Sequence, residues 1–236
     1  MLIGLAGLKR SGKDTFARAL ATQAQRDGYA TATSAFADKV REAAGIVYEL
    51  AYFEFVNDNI KDEIDPRWGI TRRQMLINVG KGQRQHDPDH WVKLWRLRHN
   101  SIGQTVSIPR LSIWTSPITK PILHIVTDVR RANEAAAIHD LGGIVVLIQR
   151  PGVEWNGHIN EKLATLPDAR YSTLPDDLRD GTWGQHHGDR AVFDAVVQND
   201  RDIAALGVEA GRLLAHQQEA RATPAMKIPR RPRRRA

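Results

Sequence analysis

The segment Gly7-Leu-Lys-Arg-Ser-Gly12-Lys13 constrains the fold of this 236-residue chain more than any other. It follows an apolar run, Leu2 to Ala6, that reads as a buried strand. After it, Phe16, Ala17, Leu20, Ala21 and Ala24 recur at helical spacing from Asp14 to Arg26, stopped by Gly28. G-x4-G-K between a strand and a helix is a phosphate cradle. Its glycines let backbone N–H groups turn inward around an anion, and the helix N-terminus adds partial positive charge. Lys13 would bridge the β- and γ-phosphates, with Arg10, Ser11 and Gly12 shaping the loop.

One position departs from the usual pattern. Asp14 follows Lys13 where a Ser or Thr hydroxyl ordinarily reaches Mg²⁺, and Thr15 comes next. A carboxylate beside phosphates is repelled unless a cation lies between them. Asp14 is therefore expected to reach Mg²⁺, directly or through water, with Thr15 serving a phosphate oxygen. The alternative is that Asp14 only caps the helix, for which Asp is well suited.

Along the rest of the chain, strands are expected over Thr31–Phe36, Ile122–Thr127, Ile144–Gln149 and Val192–Val197. Helices are expected over Ala37–Tyr52, from an N-cap at Thr71 to Val79, over Pro88–His99, Ala132–Leu141 and Ile203–Gln217. Residues 57–70 and the polar stretch Gly80–Asp87 read as loops, 100–121 as an irregular excursion or hairpin, and 151–190 as loop-rich. Nearly all-apolar strands alternating with helices argue an α/β fold with a parallel sheet covered on both faces.

Composition narrows the chemistry. Without cysteine, disulfides, thiolate zinc sites, iron–sulfur clusters and cysteine nucleophiles are excluded. No apolar run approaches the roughly 20 residues of a membrane span. Lys9 and Arg10 follow the apolar start, the reverse of a signal peptide's charge order. A soluble, cytoplasmic chain is the expectation, with no membrane partner. The formal net charge of +7 is local: seven of the 34 Lys+Arg lie beyond residue 219, leaving 27 to balance all 27 acids. Residues 220–236, broken by Pro224, Pro229 and Pro232, read as a disordered basic tail.

Gly7 to Thr15, GLKRSGKDT, resembles the phosphate loop of phage-type deoxynucleoside monophosphate kinases. Phe36-Ala-Asp-Lys39-Val is similar to that family's F-A-D segment, and Gly69-Ile-Thr71-Arg-Arg73 to Leu76, Gly80 and Arg84 to the stretch that follows. Asp89-His-Trp91-Val resembles D-x-W-V, and Asp128-Val-Arg130-Arg-Ala-Asn-Glu134 resembles D-V-R-F-P-N-E. Gly142-Gly143 to Arg150-Pro151, His158-Ile-Asn-Glu161 and Phe193-Asp194 to Asn199-Asp200 continue the likeness in order. It thins over 100–121 and 164–190.

The resemblance implies ATP- and Mg²⁺-dependent phosphorylation of a deoxynucleoside monophosphate on an adenylate-kinase-like P-loop fold. One kinase domain would cover 1–219, with an acceptor-binding insertion at about 37–100 and a lid-like region at about 151–190. Asp128, at the C-terminal end of its strand, would be a Mg²⁺-associated or acceptor-site carboxylate, or else a cap of the helix that starts at 132, with Arg130 in solvent. Arg130 would clamp the acceptor or transferring phosphate. Lys9, Phe36, Lys39, Arg73 and Arg84 would line the acceptor site, Phe36 as a stacking face or as core; Arg72 points elsewhere. Arg10 would cover the adenine or the phosphates. Trp91 and Trp95, spaced i, i+4, stack on a base or pack in the core. Arg150, His158 and Glu161 would belong to the lid.

His86-Asp-Pro-Asp-His90 has the composition of a metal site but reads better as a loop entering a helix, and His186-His187 draws a metal reading still less. Two other activities stay open: a P-loop kinase for another small phosphorylated acceptor of phosphomevalonate type, and a nucleotide-dependent nucleic-acid-binding protein using the tail, which even in a kinase has a weak nucleic-acid contact within its reach. A homodimer is neither required nor excluded.

Overall fold

The computed structural model describes residues 1–103, 105–108, 118–179 and 185–222. Most of the basic tail, 223–236, thus lies outside the described residues, as do 109–117 of the expected excursion and 180–184 of the lid-like region.

Strand β1 (Leu2–Ala6) is buried throughout and pairs in parallel with β6 (Ile118–Val129) on one side and β7 (Ile144–Gln149) on the other. β2 (Ala30–Ser34) adds outside β6 and β8 (Ala195–Gln198) outside β7, giving the parallel order β2-β6-β1-β7-β8. All five parallel strands end at one edge, where a doubly wound sheet presents its ligand crevice. The first residues of β6 pair antiparallel with β5 (Thr105–Ile108), so the expected excursion does begin as a hairpin.

Helices cover both faces. α1 (Lys13–Arg26) and α7 (Ile203–Ala222) bury Phe16, Leu20, Leu206 and Leu214 against Ile3, Leu5, Ile125 and Ile148. On the other face α6 (Ala132–Asp140) presents Ala135, Ala136 and Ile138 to Val126, Val145 and Leu147. The small alanines let α6 lie close to the sheet, and a Cβ on Gly4 would meet Ile138 Cδ1 at 2.3 Å. Among the described residues no helix is long and apolar enough to cross a membrane.

Residues 37–102 form a helical excursion beyond the β2 edge. The expected single helix 37–52 divides into α2 (Ala37–Tyr48) and α3 (Tyr52–Val56), because Glu49 turns left-handed at φ 51°. The expected loop 57–70 holds a short hairpin, β3 (Ile64–Asp65) with β4 (Ile70–Thr71), closed by Gly69 at φ 66°. Thr71 Oγ1 accepts the Gln74 N–H at 3.1 Å, the cap the sequence specifies.

From there α4 (Arg72–His86) runs straight through the stretch expected to be a loop. Gly80 is buried there, and its carbonyl accepts the Trp91 indole N–H at 3.0 Å. Packing against α5 (His90–Ile102) outweighs the weak helix propensity of Gly80 and Gly82. Ala44, Leu50, Phe55 and Met75 make a small separate core for this excursion. Arg72 braces it, bonded to Glu54 at 2.8 Å and to buried Asp65 at 3.4 Å.

Candidate active site

The cradle opens where β1 gives way to α1. Gly7 adopts φ 150° and Gly12 φ 99°; Cβ atoms there would meet the Ile148 carbonyl oxygen at 2.5 Å and Asn199 Nδ2 at 2.3 Å. Both positions therefore demand glycine, for space as well as for conformation. Arg10 is also left-handed, at φ 67°, which throws its side chain and that of Lys9 outward into solvent. Gly12 caps α1 without a side-chain bond, and Asp14 sits exposed in the first helical turn. Asp14 thus makes no capping hydrogen bond; its charge still favours the positive end of the helix.

Lys13 Nζ donates to the carbonyls of Gly7 at 2.8 Å and Leu8 at 2.7 Å. Burial and then the Arg130 charge lower its pKa to about 8, against the opposing pull of Asp14, Glu161 and Asp128. The charges that act on Lys13 thus include Arg130 and Asp128 at the end of β6 and Glu161 in the turn at Ile159–Thr165.

Asp128 is buried and fully engaged. Its two carboxylate oxygens accept the backbone N–H groups of Phe36, at 2.6 Å, and Ala37, at 3.0 Å. It holds the N-terminus of α2 to the central sheet, so it caps the helix at 37 and not the one at 132. Glu134 was not singled out from sequence. Buried at the start of α6, it accepts the N–H groups of Arg130 at 2.8 Å and Arg131 at 3.1 Å. Burial and the neighbouring Asp128 raise its pKa, with the Arg84 charge acting the other way. Arg84, half-buried on α4, thus acts electrostatically on Glu134.

Arg73 lies farther out, bonded to Asp62 at 2.9 Å and influenced by Asp58 and Glu161. The Lys9 charge acts on the same Asp58 and Asp62. Lys39 is turned along its own helix to Glu42.

Two expected acceptor contacts are instead core. Phe36 is 2% exposed and packs on Trp95 with ring centroids 4.6 Å apart. Trp91 is 3% exposed and tied to Gly80. Neither offers a free ring face, because the excursion needs both to close over the sheet edge. His158 and Arg150 are exposed; Glu161 is half-buried.

A cavity of about 320 Å³ adjoins the cradle, lined by Leu8, Ser11, Gln149, Arg150, Pro151, Val153, Trp155 and Gln198 among others. Ser11 is 1% exposed, and its hydroxyl has no hydrogen-bond partner in the protein. Trp155 and Asn199 also escaped the sequence reading. Asn199, from the end of β8, donates through Nδ2 to the Ser11 carbonyl at 2.9 Å. Only its place in the Asn199-Asp200 resemblance could have pointed to it.

No family model matches the chain. A protein of Acanthamoeba polyphaga mimivirus named "Putative deoxynucleotide monophosphate kinase" is 29% identical over 158 residues, covering 65% of this chain and 76% of that protein. Similar solved structures include dephospho-CoA kinase from Campylobacter jejuni, 11% identical with a TM-score of 0.40, spanning 93% of this chain and 98% of that one. Another is shikimate kinase from Aquifex aeolicus vf5, 14% identical with a TM-score of 0.36, spanning 94% and 100%. The chain is thus an α/β protein with a five-stranded parallel sheet that resembles, in sequence, a protein named as a deoxynucleotide monophosphate kinase.

Proposed function

We propose that the protein transfers the γ-phosphoryl group of ATP to a deoxynucleoside monophosphate. What supports this reading is the glycine-bounded loop that carries Lys13 at the end of β1, with Arg130 acting on Lys13, Arg84 acting on Glu134, and the excursion 37–102 extending beyond β2. The acceptor is a phosphate monoester, already ionised near neutral pH, so the reaction needs no general base. It needs alignment and neutralisation of crowded negative charge.

In this reading Lys13 exchanges its carbonyl partners for β- and γ-phosphate oxygens. The cradle N–H groups hold the β-phosphate, and Arg130 stabilises the charge that builds up during transfer. Arg84, with Arg73 and Lys9 farther out, receives the acceptor phosphate. The purine enters the 320 Å³ cavity beside Ser11, against Arg150 and Trp155. The exposed carboxylate of Asp14 and the Thr15 hydroxyl fit Mg²⁺, whose role when bound is to neutralise phosphate charge. The 151–165 segment, carrying His158 and Glu161, acts as the lid that excludes water.

The test is a coupled ADP-release assay with ATP and a panel of acceptors: the four deoxynucleoside monophosphates, AMP, CMP and non-nucleotide monophosphates such as phosphomevalonate. Turnover with at least one deoxynucleotide is expected. Turnover confined to a non-nucleotide acceptor would refute the reading.

A further inference from the structure

Away from the phosphate crevice, the short turn Gln185–His187 packs on the last turn of α6. His186 Nε2 lies 2.7 Å, and His187 Nε2 3.1 Å, from the same oxygen, Asp140 Oδ1. All three potential ligand atoms fall within 4.8 Å of one another.

His187 is the constrained member of this group. Its side chain is only 10% exposed, and its Nε2 is buried without a hydrogen-bond partner. It lies 3.1 Å from Asp140 Oδ1 without the geometry of a hydrogen bond, so the two atoms do not satisfy one another directly. A cation placed between them would take a lone pair from each.

The surroundings match those of a metal ligand set. A histidine ligand is characteristically oriented by a second-nitrogen partner, and the Ala136 backbone acts on the His187 ring from that side of α6. The other Asp140 oxygen has Arg96 at 3.7 Å, which favours the ionised carboxylate. His139 packs edge-on against His187 and is itself fixed by Asp194 at 2.9 Å, so the His187 ring has little freedom. The negative end of α6 adds further attraction for a cation. Zinc–ligand bonds of about 2.0–2.1 Å in a tetrahedron separate neighbouring ligand atoms by about 3.3 Å. His187 nearly meets that spacing, and His186, 61% exposed, is free to open by the few tenths required.

We propose that Asp140, His186 and His187 bind a divalent transition-metal ion, with Zn²⁺ preferred, that fastens the 185–187 turn to the end of α6. Two imidazoles and one carboxylate suit Zn²⁺ and its first-row neighbours, whereas Mg²⁺ prefers all-oxygen sites. A water would complete the tetrahedron. The site lies at the opposite end of α6 from Arg131, roughly 13 Å away at about 1.5 Å rise per residue, so it is separate from the cradle.

The experiment uses full-length protein stripped with a chelator. It is titrated with Co²⁺, followed by visible absorption, and then with Zn²⁺ in competition. One equivalent should bind. Asp140→Asn, His187→Gln and His186→Ala should each weaken binding about tenfold or more. Lys13→Ala should leave it unchanged, and Zn²⁺ should raise the melting temperature of the parent protein but not of the three site variants. His186→Ala alters an exposed ring, so it remains decisive if a buried variant misfolds. Failure of the parent to bind either ion, or binding that survives all three substitutions, would overturn the proposal.

Discussion

The Asn199 side-chain amide donates to the Ser11 carbonyl at 2.9 Å, joining the end of the last parallel strand to the phosphate cradle across 188 residues of sequence. The Asn199 backbone N–H is itself bonded to Gln149 O at 2.7 Å, so the cradle is referenced to both β7 and β8. The loop's shape is consequently set by the sheet and not by its glycines alone. Asn199→Ala leaves a buried carbonyl unpaired, which costs about 1–3 kcal/mol. The expected result is a KM for ATP raised about tenfold with the acceptor KM little changed, measured by steady-state kinetics. An unchanged ATP KM would show that the loop keeps its shape without this bond.

Lys13→Ala should lower phosphoryl transfer by about a hundredfold or more. The charge of the free-protein lysine is the more telling property. With its pKa lowered to about 8, kcat/KM for ATP should decline as pH rises through that value. Phosphate oxygens raise the pKa in the complex, so the descending limb of kcat lies higher. In Lys13→Arg, whatever activity remains should lack this limb. The sign for stability is opposite. Between about pH 8 and the ordinary lysine value of 10.5 the unfolded chain binds more protons, so the unliganded protein gains stability as pH rises across that window.

Asp128→Asn replaces one of two acceptors with an NH₂ group facing a backbone N–H. Urea unfolding should show a loss of about 1–3 kcal/mol, and the acceptor KM should rise as the start of α2 loosens. A variant of parental stability whose Mg²⁺ dependence shifts would instead assign Asp128 to the metal.

Arg84→Gln should raise the acceptor KM about tenfold while leaving the KM for ATP within about twofold. Reduced stability with both constants unchanged would confine Arg84 to its partnership with Glu134.

The acid limit of stability should trace to one buried chain of hydrogen bonds. Trp95 Nε1–H donates to Ser34 Oγ at 3.1 Å, Ser34 donates to His124 Nε2 at 2.7 Å, and His124 Nδ1–H reaches His99 Nδ1 at 2.6 Å. This chain is satisfied only with both imidazoles neutral. Burial, and then the His99 charge, lower the His124 pKa to about 4 from 6.5. The unfolded chain therefore binds more protons between those values, and stability present above pH 6.5 is lost as pH falls toward about 4. Urea midpoints measured across that range should fall more steeply for the parent than for His124→Asn.

The strand–cradle–helix unit was legible because its determinants are local. An apolar run, glycines where Cβ atoms cannot fit, and a helical stripe lie within 26 consecutive residues. The same holds for Thr71, whose cap bond spans three positions. Residues that act by long-range packing were not legible. The sequence 80–87 has the polarity of a loop, yet α5 buries Gly80 and draws it into α4. Phe36 and Trp91 have the chemistry of base-stacking residues, and only the closure of the excursion over the sheet made them core.

Sequence by itself determined that this chain builds a strand, a glycine-bounded loop and a helix on an α/β sheet, and that its net charge of +7 belongs to the tail. Tertiary structure decided which charges act on one another: Arg130 and Glu161 act on Lys13 and Arg84 on Glu134, while Arg73 pairs with Asp62 and Asp128 holds α2. The physical reason is that backbone conformation and burial periodicity are short-range properties of a sequence. The partner of a charged side chain depends on which distant elements the packed sheet brings alongside it.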